Sequence, residues 1–200
     1  YPLDEQQKFN RFILEKIGVD LNRSRLDFST HPFCTGFNPK DVRFTTFTNA
    51  TSFYNSIFAV LHEGGHALYE LGLPYEELGT PLAQACSLGV HESQSRWWEC
   101  FIGQSRPFWE FLFPHLKEAF LKQLEGIDLK TFYEAINHVE PSLIRVYADE
   151  VTYILHIILR YEIEKAFIEG SIDVSDLPRI WNEKMEDLLG ITPGSSAEGC

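Results

Sequence analysis

The chain has 200 residues, with 17 basic against 29 acidic side chains, a formal net charge of -12 and 14% aromatic residues. That balance argues against nucleic acid, whose binding rests on Lys and Arg neutralising phosphates, and against an anionic membrane surface. The length suffices for one domain with a real core, the aromatic content argues against disorder, and no apolar run reaches the ~20 residues of a membrane-spanning helix.

In chain order, a first helix is expected from Pro2, a favoured early helical position, to Ile17, with Gly18 as its stop. Between Val19 and Phe47 two β-capable pieces, RLDFSTHPF and DVRFTTF, flank the turn-rich GFNPKD, which predicts a hairpin or small sheet edge. From about Thr51 to Leu71 the positions Phe53, Ile57, Val60, Gly64, Ala67 and Leu71 recur three and four apart, a helical pattern ended by Pro74. Further helices are expected near 82–104, 107–125, 129–138, 142–169 and 176–189. Gly126, Gly170 and Gly190 stand where helices should end, and Asp128 and Ser175 where N-caps are wanted. The cysteines at 34, 86, 100 and 200 form no C-x-x-C pair, so a thiol zinc site is not expected and reduced thiols are.

The stretch LHEGGHALYE, from Leu61 to Glu70, carries the chemistry. On a helix His62 and His66 are ~40° apart in azimuth and ~6 Å apart in rise, so both imidazoles can reach one ion. Glu63 flanks that ion without having to bind it, which is the H-E-x-x-H arrangement with the glutamate acting on water. Gly64 and Gly65 interrupt the helix at up to ~1 kcal/mol each against alanine, a cost that asks for a reason other than helix stability. A catalytic zinc wants three protein ligands, and the third is sought in GVHESQSRWWE. Glu92 is the foremost candidate there and His91 its competitor, with Arg96 four residues on to orient the Glu92 carboxylate and Glu99 on nearly the same face. A di-iron bundle needs a second E-x-x-H helix, which the other histidines do not provide.

The motifs HPF, DVRFT, HEGGH, HESQSR and IRVYAD, in that order, make the chain resemble the carboxypeptidase Taq family of zinc metallocarboxypeptidases over nearly its whole length. The resemblance implies a mainly α fold, a multi-helix zincin-like catalytic region with a small β hairpin or sheet beside the HEGGH helix. It implies zinc, with cobalt or another divalent ion as substitute, held by His62, His66 and Glu92, and Glu63 as general base. It further implies a peptide substrate with a free C-terminus, a homodimer and a cytoplasmic location, with no nucleic acid or membrane partner. Arg145, in IRVYAD, matches the arginine that holds the substrate's terminal carboxylate, and a guanidinium suits that two-pronged task. His31, in HPF, and Arg43, in DVRFT, match motifs placed around the substrate. Structural roles compete at each: a turn at His31–Pro32, a pair of Arg43 with Asp41, and a pair of Arg145 with Asp149.

Two departures stand out. Phe47 occupies a position where the family commonly has a basic residue. The chain also begins at Tyr1 and stops at Gly199–Cys200, where the family's last motif would open. We therefore expect residues 1–200 to be the central part of a single catalytic domain, without the family's N-terminal region and final motif. The competing readings are a zinc oligopeptidase that cuts internally and a non-catalytic scaffold.

Overall fold

A computed structural model describes residues 1–199; Cys200, the second residue of the expected last motif, lies outside the described residues. The chain divides into two compact units, Tyr1–Ile136 and Asn137–Cys200. Mainly helical, with one small sheet, it has the expected class of fold. No helix among the described residues is long and apolar enough to cross a membrane.

In the first unit, helix α1 (Leu3–Ile17) buries Phe9, Ile13 and Leu14, which its helical period places on one face. Gly18 ends it at φ 92°, a left-handed conformation that costs glycine nothing, and turns its N–H back to the Glu15 carbonyl. Strands β1 (Ser24–Phe28), β2 (Cys34–Asn38) and β3 (Asp41–Thr46) form a sheet of order β1-β3-β2. β2 and β3 make the antiparallel hairpin, and β1 adds in parallel on the other side of β3. The hairpin's first arm is thus CTGFN, partly inside the stretch that reads as turn, while residues 29–33 are a connection. Val42, Phe44 and Thr46 alternate inward from β3, and β2 and β3 pack on helix α2 (Tyr54–Leu71).

Beyond α2 the backbone runs through two short 3₁₀ turns to α3 (Leu88–Arg96), which Ser87 caps by accepting from Val90 N–H. The helix expected over 82–104 is therefore shorter, and it continues into a π-helical turn, Trp97–Ile102. Helices α4 (Arg106–Ala119) and α5 (Leu129–Ile136) close the unit, with Asp128 accepting from Thr131 N–H as the expected cap. Trp109 is fully buried here, its indole N–H donating to the Gly103 carbonyl at 2.6 Å and its ring 4.6 Å from that of Phe132.

In the second unit α6 (Glu150–Ile168) and α7 (Leu177–Leu189) pack through Leu159, Ile163, Met185 and Leu189. The helix expected over 142–169 begins only at Glu150, because Asp149 caps it, accepting from the N–H groups of Val151 and Thr152 and the Thr152 hydroxyl. Ser175 lies within a 3₁₀ turn and Asp176, which takes the position before α7, makes no side-chain capping bond, so the expected cap is not formed. Burial works to raise the Asp149 carboxyl, but the hydrogen bonds from Thr152, Glu140 and Val151 outweigh it and hold it below the ordinary aspartate value of 3.8. A lowered carboxyl contributes stability above its unfolded value and loses it as pH falls through the folded one. Asp149→Ala should therefore cost about 1 kcal/mol at neutral pH, and the gap from wild type should narrow in acid. Urea titrations at neutral pH and near pH 3 would check this; an equal gap at both would remove the capping charge as the cause.

Candidate metal centre

Helix α2 brings His62 and His66 one above the other, ring centroids 4.9 Å apart. The two glycines between them are contact surfaces. A Cβ on Gly65 would lie 2.6 Å from the Gln94 carbonyl oxygen and 2.7 Å from Ser95 Cα, so α3 rests directly on that backbone. On Gly64 a Cβ would meet Leu14 Cδ2 of α1 at 2.9 Å. The helix propensity lost at both positions is the cost of close approach on two sides.

That approach delivers Glu92. Its Oε2 lies 3.2 Å from His66 Nε2 and 3.7 Å from His62 Nε2. Among the described residues, His62, His66 and Glu92 form a group able to hold a metal, with one ligand atom from each, all within 4.8 Å of one another. Ligands ~2.0–2.2 Å from a tetrahedral ion stand ~3.3–3.6 Å apart, and the two spacings fall about 0.1 Å either side of that range; nitrogen and oxygen donors are a suitable set for zinc.

Electrostatics agree with that fit. Burial works to raise the Glu92 carboxyl, but the His66 hydrogen bond and the His62 charge win and lower it to about 2. For His62 burial pulls down, while Glu99, Glu92 and Glu63 more than compensate and raise it above 6.5. Glu63 is 6% exposed, and its Oε2 has no hydrogen-bond partner. Burial raises its carboxyl above 4.5 against the opposing pull of His62 and His66. A buried, unpartnered carboxylate oxygen beside a metal-ligand cluster is the arrangement a proton acceptor needs. Burial, then the charges of Glu63 and Glu70, likewise push the Cys34 thiol up to about 12, so it is no nucleophile.

His91, the competitor for the third ligand, is turned elsewhere. Its Nδ1 meets His66 Nδ1 at 2.6 Å and its Nε2 meets Glu70 Oε1 at 2.7 Å. Arg96 does not orient Glu92 as expected; it donates to Glu99 at 2.7 Å, and Glu99 in turn contacts His62 Nδ1 at 2.8 Å. Glu70 went unnoticed in the sequence although it continues the four-residue spacing of His62 and His66.

Of the remaining candidates, two lie in the same unit but outside this cluster. Arg43 makes a two-pronged pair with Asp41 at 2.9 Å on both arms, on the exposed side of β3. His31 is exposed on the connection between β1 and β2, near enough to act on the Glu63 charge. In the second unit Arg145 donates to the Tyr153 hydroxyl at 2.8 Å, while Asp149, the partner suggested by spacing, is engaged as the α6 cap. Tyr153, His156 and Arg160 share one face of α6 at three- and four-residue steps, a signal also missed. Arg160 there donates to the His156 carbonyl and stacks over Trp181.

Known proteins resemble this chain in sequence and fold. The profile of the Carboxypeptidase Taq (M32) metallopeptidase family matches residues 1–200. Thermostable carboxypeptidase 1 of Thermus thermophilus is 50% identical over 199 residues, covering 100% of this chain and 39% of that protein. Carboxypeptidase 1 of Bacillus subtilis is 45% identical, with 100% and 40% covered. The crystal structure of the M32 carboxypeptidase from Deinococcus radiodurans R1 superposes with a TM-score of 0.96 at 40% identity, again over 100% of this chain and 40% of that one. The chain thus spans about two fifths of the length of these relatives. With a family profile matched from end to end and relatives this similar, the chain belongs to the carboxypeptidase Taq family of metallopeptidases.

Proposed function

We propose that this chain carries the catalytic centre of a zinc-dependent carboxypeptidase that releases single residues from peptide C-termini. One observation carries the reading: two imidazole Nε2 atoms and the Glu92 carboxylate converge beside the buried, unpartnered oxygen of Glu63. His62, His66 and Glu92 would hold the ion. When bound, zinc supplies a Lewis acid for the scissile carbonyl and lowers the pKa of water from 15.7 toward ~7. Glu63 takes the proton from the attacking water on Oε2 and passes it to the leaving amine. Its raised carboxyl suits the first half of that exchange, since a weaker acid has the stronger conjugate base. Arg145 is assigned the substrate's terminal carboxylate, with His31 and Arg43 near the peptide. The homodimeric state and cytoplasmic location belong to the same proposal and rest on the family resemblance.

The test separates an exopeptidase from an internal cutter. In the full enzyme, amidating the peptide C-terminus should lower kcat/KM by on the order of a hundredfold, as expected for ~3 kcal/mol of lost charge-assisted bonding. Arg145→Lys should be impaired on free peptides and change amidated ones little further, because their shared interaction is already gone. Equal cleavage of both peptides at internal bonds would make the protein an oligopeptidase. A silent Arg145→Lys with a strong amidation effect would pass the role to another cation, Arg43 first.

A further inference from the structure

Both histidines of the pair are held from behind. His62 Nδ1 lies 2.8 Å from Glu99 Oε2, and Arg96 Nη1 meets the same oxygen at 2.7 Å. His66 Nδ1 lies 2.6 Å from His91 Nδ1, whose far nitrogen reaches Glu70 Oε1 at 2.7 Å. The two chains differ in chemistry and in origin. One is a carboxylate from the π turn, locked by an arginine. The other is an imidazole from α3, locked by a glutamate of α2 itself.

Hydrogen-bond bookkeeping fixes the protons. A carboxylate only accepts, so His62 gives its Nδ1–H to Glu99 and His91 gives its Nε2–H to Glu70. His91 then offers a lone pair at Nδ1, and His66 must be the donor across that contact. By two unlike routes both histidines reach the same state, hydrogen on Nδ1 and lone pair on Nε2. Those two Nε2 atoms are the ones that face Glu92.

The place of Glu70 is reserved by the sheet. A Cβ on Gly36 of β2 would lie 2.2 Å from Glu70 Oε2 and 2.6 Å from its Cδ, so the carboxylate sits on bare backbone. Glu70 lies four residues beyond His66 on α2, so one helix supplies both ligand histidines and the anchor of the second chain.

We infer that Glu99 and the His91–Glu70 pair are positioning residues for a divalent cation. Each sets the tautomer and ring plane of its histidine so that Nε2 is ready to bind, and Arg96 and Gly36 hold the two carboxylates in place. The inference rests on the proposed metal centre. It adds that the centre is prepared before the ion arrives, by residues that do not touch the ion.

Zinc affinity of the purified protein, measured by chelator competition, tests it. Glu99→Ala and His91→Phe should each weaken zinc binding about 10- to 100-fold, the usual effect of losing a group that orients a ligand. Glu99→Gln, which keeps an acceptor oxygen, should recover part of that loss. Gly36→Ala removes no polar group, yet it should weaken binding by displacing Glu70. Nuclear magnetic resonance on nitrogen-labelled histidine in the zinc-free wild type should find the protons of His62 and His66 on Nδ1 before any ion is added, a result that needs no variant to fold. Protons on Nε2 of either ring, or variants that bind zinc as tightly as wild type, would overturn the inference alone. A wild type that takes up no zinc would instead sink the metal reading on which it stands.

Discussion

Glu63→Gln should leave zinc bound and remove nearly all turnover. The amide keeps the shape of the carboxylate in a site where Glu63 is 6% exposed, so packing is preserved. What it loses is the capacity to accept and return a proton, a role that contributes typically ~10²–10⁴-fold in rate. Stability should not suffer. Burial raises the Glu63 carboxyl, and a raised carboxyl costs the metal-free fold stability as pH climbs past the ordinary glutamate value of 4.5. The neutral amide is free of that cost, so the variant should melt no lower than wild type at pH 7. Equilibrium dialysis and peptide hydrolysis on the same preparation would read both halves. A variant that loses its zinc would make Glu63 a ligand and reverse the assignment of roles.

Glu92→Ala should do the opposite and lose the ion. Structural zinc sites bind with apparent energies of ~10 kcal/mol or more, so one of three protein ligands accounts for ~3 kcal/mol, a hundredfold or more in affinity. His91 is not free to substitute, because its nitrogens are engaged by His66 and Glu70. Metal analysis after dialysis against a weak chelator would show the difference. Unchanged uptake would remove Glu92 from the ligand set.

The sequence was most legible where local periodicity decides the outcome. His62, Glu63 and His66 lie on one helix, and a four-residue step fixes their relation whatever the rest of the chain does. Gly18 and Asp128 end and begin helices as their residue types suggest, because capping depends on a few neighbours. Tertiary geometry set the rest. His91 and Glu92 are adjacent in the chain, and which of them faces the pair depends on how α3 is rotated against Gly65. The role of Arg96 was misjudged because two glutamates lie within helical reach of it, Glu92 four residues before and Glu99 three after, and spacing alone does not choose between them. GFN looked like turn because glycine and asparagine are turn-prone residues, whereas their place in β2 is set by pairing with β3. The long helix read over 142–169 came from apolar content, which does not register that Asp149 prefers the outside of a first turn.

The π turn at Trp97–Ile102 sets a helical phase as well as a contact. Its Gly103 N–H donates to the Trp98 carbonyl at 2.8 Å, five residues back, so its hydrogen-bonded loop encloses one residue more than that of the α-helix before it. On one side of it stands Glu92, with Glu99 in the turn itself, both aimed at the histidines. On the other stands Gly103, where a Cβ would lie 2.8 Å from Leu61 Cδ1, and whose carbonyl takes the buried Trp109 indole. Each residue added to or removed from a helix rotates the rest of that helix by ~100°. A one-residue deletion between Glu99 and Gly103 would therefore restore a plain α-helix and swing either the acidic side chains or the tryptophan off target. The loop from 72 to 87 carries no such phase. Length variation is tolerable there, and between Glu99 and Trp109 it is not, so the surplus residue acts as the gear tooth that keeps centre and core in step.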